Sequence, residues 1–198
     1  HPHCRRQRQM CIRDRNSDFE RLGVINDVEV HGLSYDSRLI TSGDLFFCFQ
    51  GEKNDSHDFV YDAIKGGASA LVVERVIDID FPQVISSNSR KMMSEIAEIF
   101  YDFPSREITT VGVTGTNGKT TTVNILSAIA EAAGKQSKTI GTSTGQLTTP
   151  EAPDLQRQIR DSVVAGASFL AMEVSSHALL QHRISGMAFD AVSYTHLR

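Results

Sequence analysis

The sequence predicts an α/β protein, a small α/β domain followed by the beginning of a second one with a parallel, doubly wound sheet. Three observations carry this prediction. Short apolar runs rich in β-branched residues alternate with helix-period segments along the 198 residues. The helix-period segments stop at Gly66-Gly67, Pro104, Gly134 and Gly166. A glycine-rich turn lies between a β-branched strand and a helix, the place where doubly wound sheets bind ligands.

The elements follow in order. Val24–Val30 reads as a strand, and Leu45–Phe49 as a continuously apolar, buried one. Phe59, Ala63 and Ile64 have helical spacing within Asp58–Lys65. Ser69–Val73 and Pro82–Ile85 read as strands. Met92, Met93, Ile96, Ile99 and Phe100 form the apolar face of a helix over Arg90–Phe103, the methionines acting as packing residues. A new unit begins near Glu107. Ile108–Val113 is its first strand, Lys119–Ala133 a helix, and Lys138–Ile140 a short strand; Leu155–Ala165 is a helix and Ser168–Val174 a buried strand.

Composition narrows the function. The chain is 40% hydrophobic and 22% charged, and no run of eighteen apolar residues suggests a membrane span. Residues 1–15 carry five arginines against one aspartate, a local +4 that leaves −8 on residues 16–198. An acidic body predicts no nucleic-acid partner, because such binding depends on neutralising phosphates. The basic start lacks the apolar core of a secretory signal, and three cysteines (Cys4, Cys11 and Cys48) share no metal-ligand spacing. The expected compartment is reducing and cytoplasmic.

The chemistry is concentrated in Thr114-Gly115-Thr116-Asn117-Gly118-Lys119-Thr120-Thr121. Glycines let the backbone wrap a phosphate with its N–H groups inward, and the following helix adds its N-terminal partial charge. Lys119 supplies a point charge for the β- and γ-phosphates, and the Thr120 hydroxyl suits Mg²⁺. A strict Walker A motif has glycine where this chain has Val113. Glu173 ends the buried strand Ser168–Val174, where a carboxylate is costly unless paired or metal-bound, and it is the candidate second Mg²⁺ ligand.

The Thr-Gly-Thr-Asn-Gly-Lys-Thr-Thr string resembles the ATP loop of the Mur ligase family, which uses the shorter form Gly-Thr-x-Gly-Lys-Thr/Ser and so accommodates Val113. Three more segments, within a resemblance spanning about residues 22–192, point to the MurE type, the tripeptide synthetases. Asp36-Ser37-Arg38, with Ser42-Gly43-Asp44-Leu45-Phe46-Phe47, Gly51, Asp55 and Phe59, is similar to the family's uridine-nucleotide-binding domain; read without the family, Asp-Ser-Arg is also a self-bonded turn. Leu147-Thr148-Thr149-Pro150 resembles the family's Asn-Thr-Thr-Pro substrate loop, with leucine for asparagine; two threonines before a proline equally suit an exposed loop that caps the next helix. Met172-Glu173-Val174-Ser175-Ser176-His177, then Gln181-His182-Arg183, is the most discriminating string. Read without the family, Gln181 and Arg183 are better taken as a solvated helix face. His177 is open to three roles: ligand, substrate-orienting donor, or residue packed in the site wall, the last being favoured.

The resemblance implies an ATP-dependent amide ligase. Such an enzyme phosphorylates a carboxylate of a UDP-muramoyl dipeptide, and the acyl phosphate is attacked by an amino acid's amine. It implies Lys119 and Glu173 as catalytic residues, residues 115–121 (Gly115, Thr116, Asn117, Gly118, Lys119, Thr120 and Thr121) around ATP, and Thr120 and Glu173 on Mg²⁺. Ser37, Thr148, Thr149, Ser175, Gln181 and Arg183 become substrate contacts. Residues 16–88 are expected to form the UDP-substrate domain and 89–192 the first part of a truncated ATP-binding domain. Residues 1–15 and 193–198 are expected to be joined-on sequence, and the chain is expected to have no turnover alone. The competing expectations are another ligase sharing the ATP loop, of folylpolyglutamate or cyanophycin type, and a stand-alone nucleotide-binding module.

Overall fold

A computed structural model describes residues 28–51, 54–143 and 147–195, together with the backbone pairing of Glu20 and Arg21. The chain divides into two compact units between Met92 and Met93.

The first unit holds a five-stranded sheet of order β1-β5-β4-β3-β2. Its strands are β1 (Glu20–Arg21), β2 (Gly32–Ser34), β3 (Asp44–Phe47), β4 (Ala70–Val73) and β5 (Gln83–Ile85). β2 to β5 run parallel and β1 pairs antiparallel to β5. Leu45, Phe46, Phe47 and Cys48 are all fully buried, which is why β3 reads as an unbroken apolar run rather than an alternation. The helix α1 (Val60–Gly66) presses Val60 and Ala63 onto Phe46, Leu71 and Val73. It ends at Gly67, whose φ of 106° is left-handed, and the Ala68 N–H closes back on the Ala63 carbonyl at 3.0 Å.

The strand expected over Val24–Val30 lies partly outside the described residues, and Val28–Val30 belong to no strand. Val30 is fully buried, so its apolarity marks core packing; ladder pairing begins only at Gly32, opposite Asp44.

The loops at the C-terminal ends of β3 and β4 are held together by polar groups, with a buried histidine at the centre. The His57 side chain is buried; its Nδ1 donates to Asp55 Oδ1 and its Nε2 accepts the Glu74 N–H at 3.0 Å. Arg75 also donates to Asp55 at 2.7 Å. Burial raises the Asp55 carboxyl, but the His57 N–H, Arg75 and the His57 ring outweigh it and bring it down to about 2.

The second unit carries a fully parallel sheet of order β7-β8-β6-β9. Its strands are β6 (Thr109–Gly115), β7 (Ser137–Ile140), β8 (Phe169–Glu173) and β9 (Ala191–Thr195). The helices are α3 (Lys119–Ala132), α4 (Ala152–Val164) and α5 (Ser176–Leu180); α2 (Ser89–Phe100) contains the division between units. The chain steps outward from β6 to β7 and then back to β8, so right-handed crossovers put α3 and α4 on opposite faces. The side chains agree: Ala171 of β8 packs with Val123 of α3, while Leu170 and Met172 pack with Leu155 and Ile159 of α4. Ser193–Thr195, assigned from the sequence to a joined-on tail, continue β9 in register with Val113–Gly115. The joined-on start expected over residues 1–15 lies outside the described residues.

The apolar face expected on α2 is rotated slightly. Ile99 is 47% exposed and Glu98 is buried instead, because Ser105 Oγ donates to Glu98 Oε1 at 2.9 Å. Burial pushes the Glu98 carboxyl above its ordinary range. No helix among the described residues is long and apolar enough to cross a membrane.

Two measurements check the first unit. Burial pushes the Cys48 thiol up to about 12, so iodoacetamide at pH 8 should leave Cys48 unmodified in the folded chain and label it in urea, read by peptide mass. Asp55 is lowered in the folded state, so its stabilisation is complete at neutral pH, declines once pH drops below about 4 and is gone below about 2. The urea stability gap between wild type and Asp55→Asn should narrow across that window.

Candidate functional site

The register of β6 on β8 sets Val113 beside Glu173. One strand runs on into the glycine-rich loop and the other ends on a carboxylate, so neighbouring strand ends bring the two together. Val113 is fully buried and packs with Val123 and Ala171, so the position that is glycine in the stricter motif is here a core residue. The turn follows it, with Gly115 (φ 132°) and Gly118 (φ 80°) both left-handed. Gly118 precedes α3, whose start carries no side-chain cap. Lys119 Nζ donates to the carbonyls of Gly115 at 2.8 Å and Thr116 at 3.4 Å, clasping the loop.

A cavity of about 300 Å³ opens over this loop, lined by Thr116–Thr121, Thr142, Thr148 and Glu173. It unites every loop residue singled out from the sequence except Gly115, together with Glu173 and Thr148. Glu173 is 1% exposed. It accepts from three donors: Thr120 Oγ1 at 2.9 Å, the Thr142 N–H at 3.1 Å and Thr142 Oγ1 at 3.3 Å. All three are neutral, so among the described residues the carboxylate's charge meets no cation.

The donor chemistry fits Mg²⁺. A hydroxyl and a carboxylate oxygen stand side by side at a phosphate-loop cavity, and Mg²⁺ is held by one or two such oxygens plus phosphate and water. Among the described residues no group of three His, Cys, Asp or Glu forms an alternative metal cluster.

Sequence reasoning missed Gly141 and Thr142, which follow β7. A Cβ on Gly141 would fall 2.8 Å from Glu173 Cγ and Cδ and closer still to Oε1, so only glycine lets the carboxylate lie there. The available signal was the glycine directly after a strand at the binding edge of the sheet. Thr142 carried none, since its role comes from the pairing of β7 with β8.

Thr149, Ser175, Gln181 and Arg183 are linked by hydrogen bonds beside Thr148. Thr149 is fully buried; its hydroxyl donates to the Glu173 carbonyl at 2.9 Å and accepts the Ser175 N–H at 3.1 Å. Ser175 Oγ caps α5 by accepting from Ala178 N–H. Arg183 is 8% exposed and donates to the Thr149 carbonyl (2.7 Å), Gln181 Oε1 (2.6 Å) and Glu151 Oε1 (2.9 Å). It is thus no solvated helix residue, and its partner Glu151 was not foreseen. His177 is not packed in the wall as favoured: it is exposed, with Nε2 2.8 Å from the Gln181 amide nitrogen, because α5 turns Ala178 inward instead. Ser37 belongs to the other unit, in the 3₁₀ turn Ser37–Leu39 after β2. That turn is self-bonded, with Asp36 Oδ1 accepting the Arg38 N–H at 3.0 Å.

Parallel strands, a Gly-Lys-Thr loop leading into a helix and an adjacent buried carboxylate define an α/β protein of the nucleotide-binding class. Comparison with known proteins makes this specific. Residues 29–101 match the Mur ligase family, catalytic domain, and residues 113–198 the Mur ligase middle domain. The chain belongs to the Mur ligase family.

It is 43% identical over 178 residues to the UDP-N-acetylmuramoyl-L-alanyl-D-glutamate–2,6-diaminopimelate ligase of Geobacillus kaustophilus, covering 85% of this chain and 36% of that protein. The ligase of the same description from Listeria monocytogenes is 36% identical over 183 residues, covering 88% and 37%. A solved structure of such a ligase aligns with a TM-score of 0.73 at 27% identity, over 86% of this chain and 37% of that one. MurF from Thermotoga maritima in complex with ADP shares the fold, with a TM-score of 0.52 at 23% identity over 77% and 34%. The chain therefore spans little more than a third of the length of these relatives.

Replacing Gly141 by alanine should displace Glu173 and weaken binding of a Mg²⁺–ATP analogue more than tenfold, about 1.4 kcal/mol or more. Calorimetric titration of the variant, with circular dichroism to confirm folding, checks this.

Proposed function

We propose that this chain carries the ATP-binding and dipeptide-binding parts of a MurE-type ligase, which adds an amino acid to UDP-N-acetylmuramoyl-L-alanyl-D-glutamate in peptidoglycan precursor synthesis. The observation that carries the reading is the Thr120–Glu173 pair at the mouth of the phosphate loop. The relatives' names supply the substrate, and 2,6-diaminopimelate is the amino acid to test first. ATP and UDP-activated precursors place this work in the cytoplasm.

A carboxylate and an amine do not condense unaided at neutral pH. Transfer of the γ-phosphoryl group to the dipeptide's carboxylate creates a leaving group, and the incoming amine displaces phosphate to give the amide. The protein's part is positioning and charge neutralisation rather than covalent chemistry. Backbone N–H groups of residues 115–118 hold the phosphates. Lys119 turns from the loop carbonyls to the transferring phosphoryl group. Thr120 and Glu173 hold Mg²⁺, which when bound offsets the charge of the β- and γ-phosphates. Thr148 faces the cavity and contacts the dipeptide, while Thr149, Ser175, Gln181 and Arg183 fix the wall from which it projects. Ser37, with the loops at the C-terminal ends of β2 to β4, takes the uridine end. Residues 16–88 are the UDP-substrate domain and 89–192 the opening part of the ATP-binding domain.

The test is calorimetric titration of the 198-residue chain with a non-hydrolysable ATP analogue and Mg²⁺, and separately with UDP-N-acetylmuramoyl-L-alanyl-D-glutamate. Both should bind. Lys119→Ala should weaken the nucleotide about tenfold to a hundredfold, the worth of a charged hydrogen-bond donor, and leave the dipeptide titration in place. Absence of nucleotide binding, or equal affinity in Lys119→Ala, would refute the reading.

A further inference from the structure

Thr142 touches two groups that the proposed reaction keeps apart. Its N–H and Oγ1 meet the two oxygens of Glu173, at 3.1 and 3.3 Å, and the same Oγ1 lies 3.0 Å from Thr148 Oγ1. Glu173 in turn accepts from Thr120 at the start of α3. A continuous line of hydrogen bonds therefore runs from the phosphate loop, through Glu173 and Thr142, to the substrate loop. Thr142 is exposed and lines the cavity, so it has no packing duty that would explain the arrangement.

A hydroxyl has one proton to donate and two lone pairs to accept with. While Thr142 gives its proton to Glu173 Oε2, it meets Thr148 as an acceptor, and the Thr148 proton is spent on it. The Thr142–Glu173 hydroxyl contact is the longest in the line at 3.3 Å, so it is the one most easily redirected. A cation bound to the Glu173 oxygens takes up their negative charge and so weakens the bond that Thr142 Oγ1 makes to Oε2. The Thr142 proton can then turn to Thr148 Oγ1, which frees the Thr148 proton to point into the cavity.

We propose that Thr142 is a positioning residue whose hydroxyl couples occupancy of the nucleotide–cation site to the donor state of Thr148, so that nucleotide binding strengthens binding of the muramoyl dipeptide. This rests on the reading that Glu173 serves the cation and Thr148 the dipeptide. Because the coupling is a free energy shared by both sites, it must be reciprocal.

The experiment titrates the 198-residue chain with UDP-N-acetylmuramoyl-L-alanyl-D-glutamate, with and without saturating Mg²⁺ and a non-hydrolysable ATP analogue. The readout is the ratio of the two dissociation constants. A uniform loss of affinity in a variant cancels in that ratio, which a merely structural role would not move. Wild type should show a ratio of about five or more. Thr142→Val, which keeps the shape and the backbone N–H but loses the hydroxyl, should bring it to about one. Thr142→Ser should restore it to within about twofold of wild type. The double variant Thr142→Val/Thr148→Val should lower it no further than Thr142→Val alone.

A wild-type ratio of one, or a Thr142→Val chain that keeps the wild-type ratio, overturns the proposal while leaving the proposed function in place. Failure of wild type to bind either probe overturns both.

Discussion

A single buried carboxylate sets the terms for the second unit. Glu173 is 1% exposed and its donors among the described residues are all neutral, so within them its desolvation is offset by hydrogen bonds to uncharged groups. Those donors sit at the ends of different elements: Thr120 in the first turn of α3 and Thr142 just past β7. Holding all of them within reach fixes the register of β8 against both neighbours, Val113 opposite Glu173 and Ile140 opposite Met172. It also dictates the backbone beside it, where Gly141 leaves room for the side chain. An uncompensated charge so deep in the fold would cost several kcal/mol; Glu173 lines the cavity over the glycine-rich loop, from which a cation can approach it.

The elements that could be read from the sequence are those whose composition follows from burial. β3 and β8 are enclosed on both faces, so Leu45–Cys48 and Leu170–Met172 form unbroken apolar runs. The phosphate loop was legible because left-handed backbone at Gly115 and Gly118 admits few other residues. By contrast, β2 is Gly-Leu-Ser, a string with no strand signature, and it is a strand only because β3 offers a ladder. Val28–Val30 misled in the opposite sense, since apolarity there records packing and no pairing. Glu98 and Ile99 exchanged their expected places through one hydroxyl, that of Ser105, seven residues downstream.

The candidate site divides the same way. Residues recognisable by type and spacing (Lys119, Thr120, Glu173) line the cavity, as does Thr148 of the substrate-loop string. Residues whose part depends on three-dimensional neighbours were either missed, as Thr142 and Glu151 were, or given the wrong surroundings, as His177 was. Arg183 belongs to this second group: its guanidinium binds the Thr149 carbonyl and Glu151 inside the protein, and so stiffens the loop that displays Thr148. Both units use one device at their strand ends. Buried polar groups, His57 with Asp55 in the first and Arg183 with Glu151 in the second, hold loops in fixed shapes before any ligand arrives.

The hydrogen bond between Thr120 and Glu173 joins residues 53 positions apart. A ribosome adding about 5–20 residues per second delivers the second roughly three to ten seconds after the first. During that interval the phosphate loop and α3 exist without β8, the strand against which α3 packs and which ends in the carboxylate. The two halves of the cavity are therefore separated in time during synthesis as well as in sequence, and the nascent chain passes through a stage with a phosphate loop but no acidic partner for a cation.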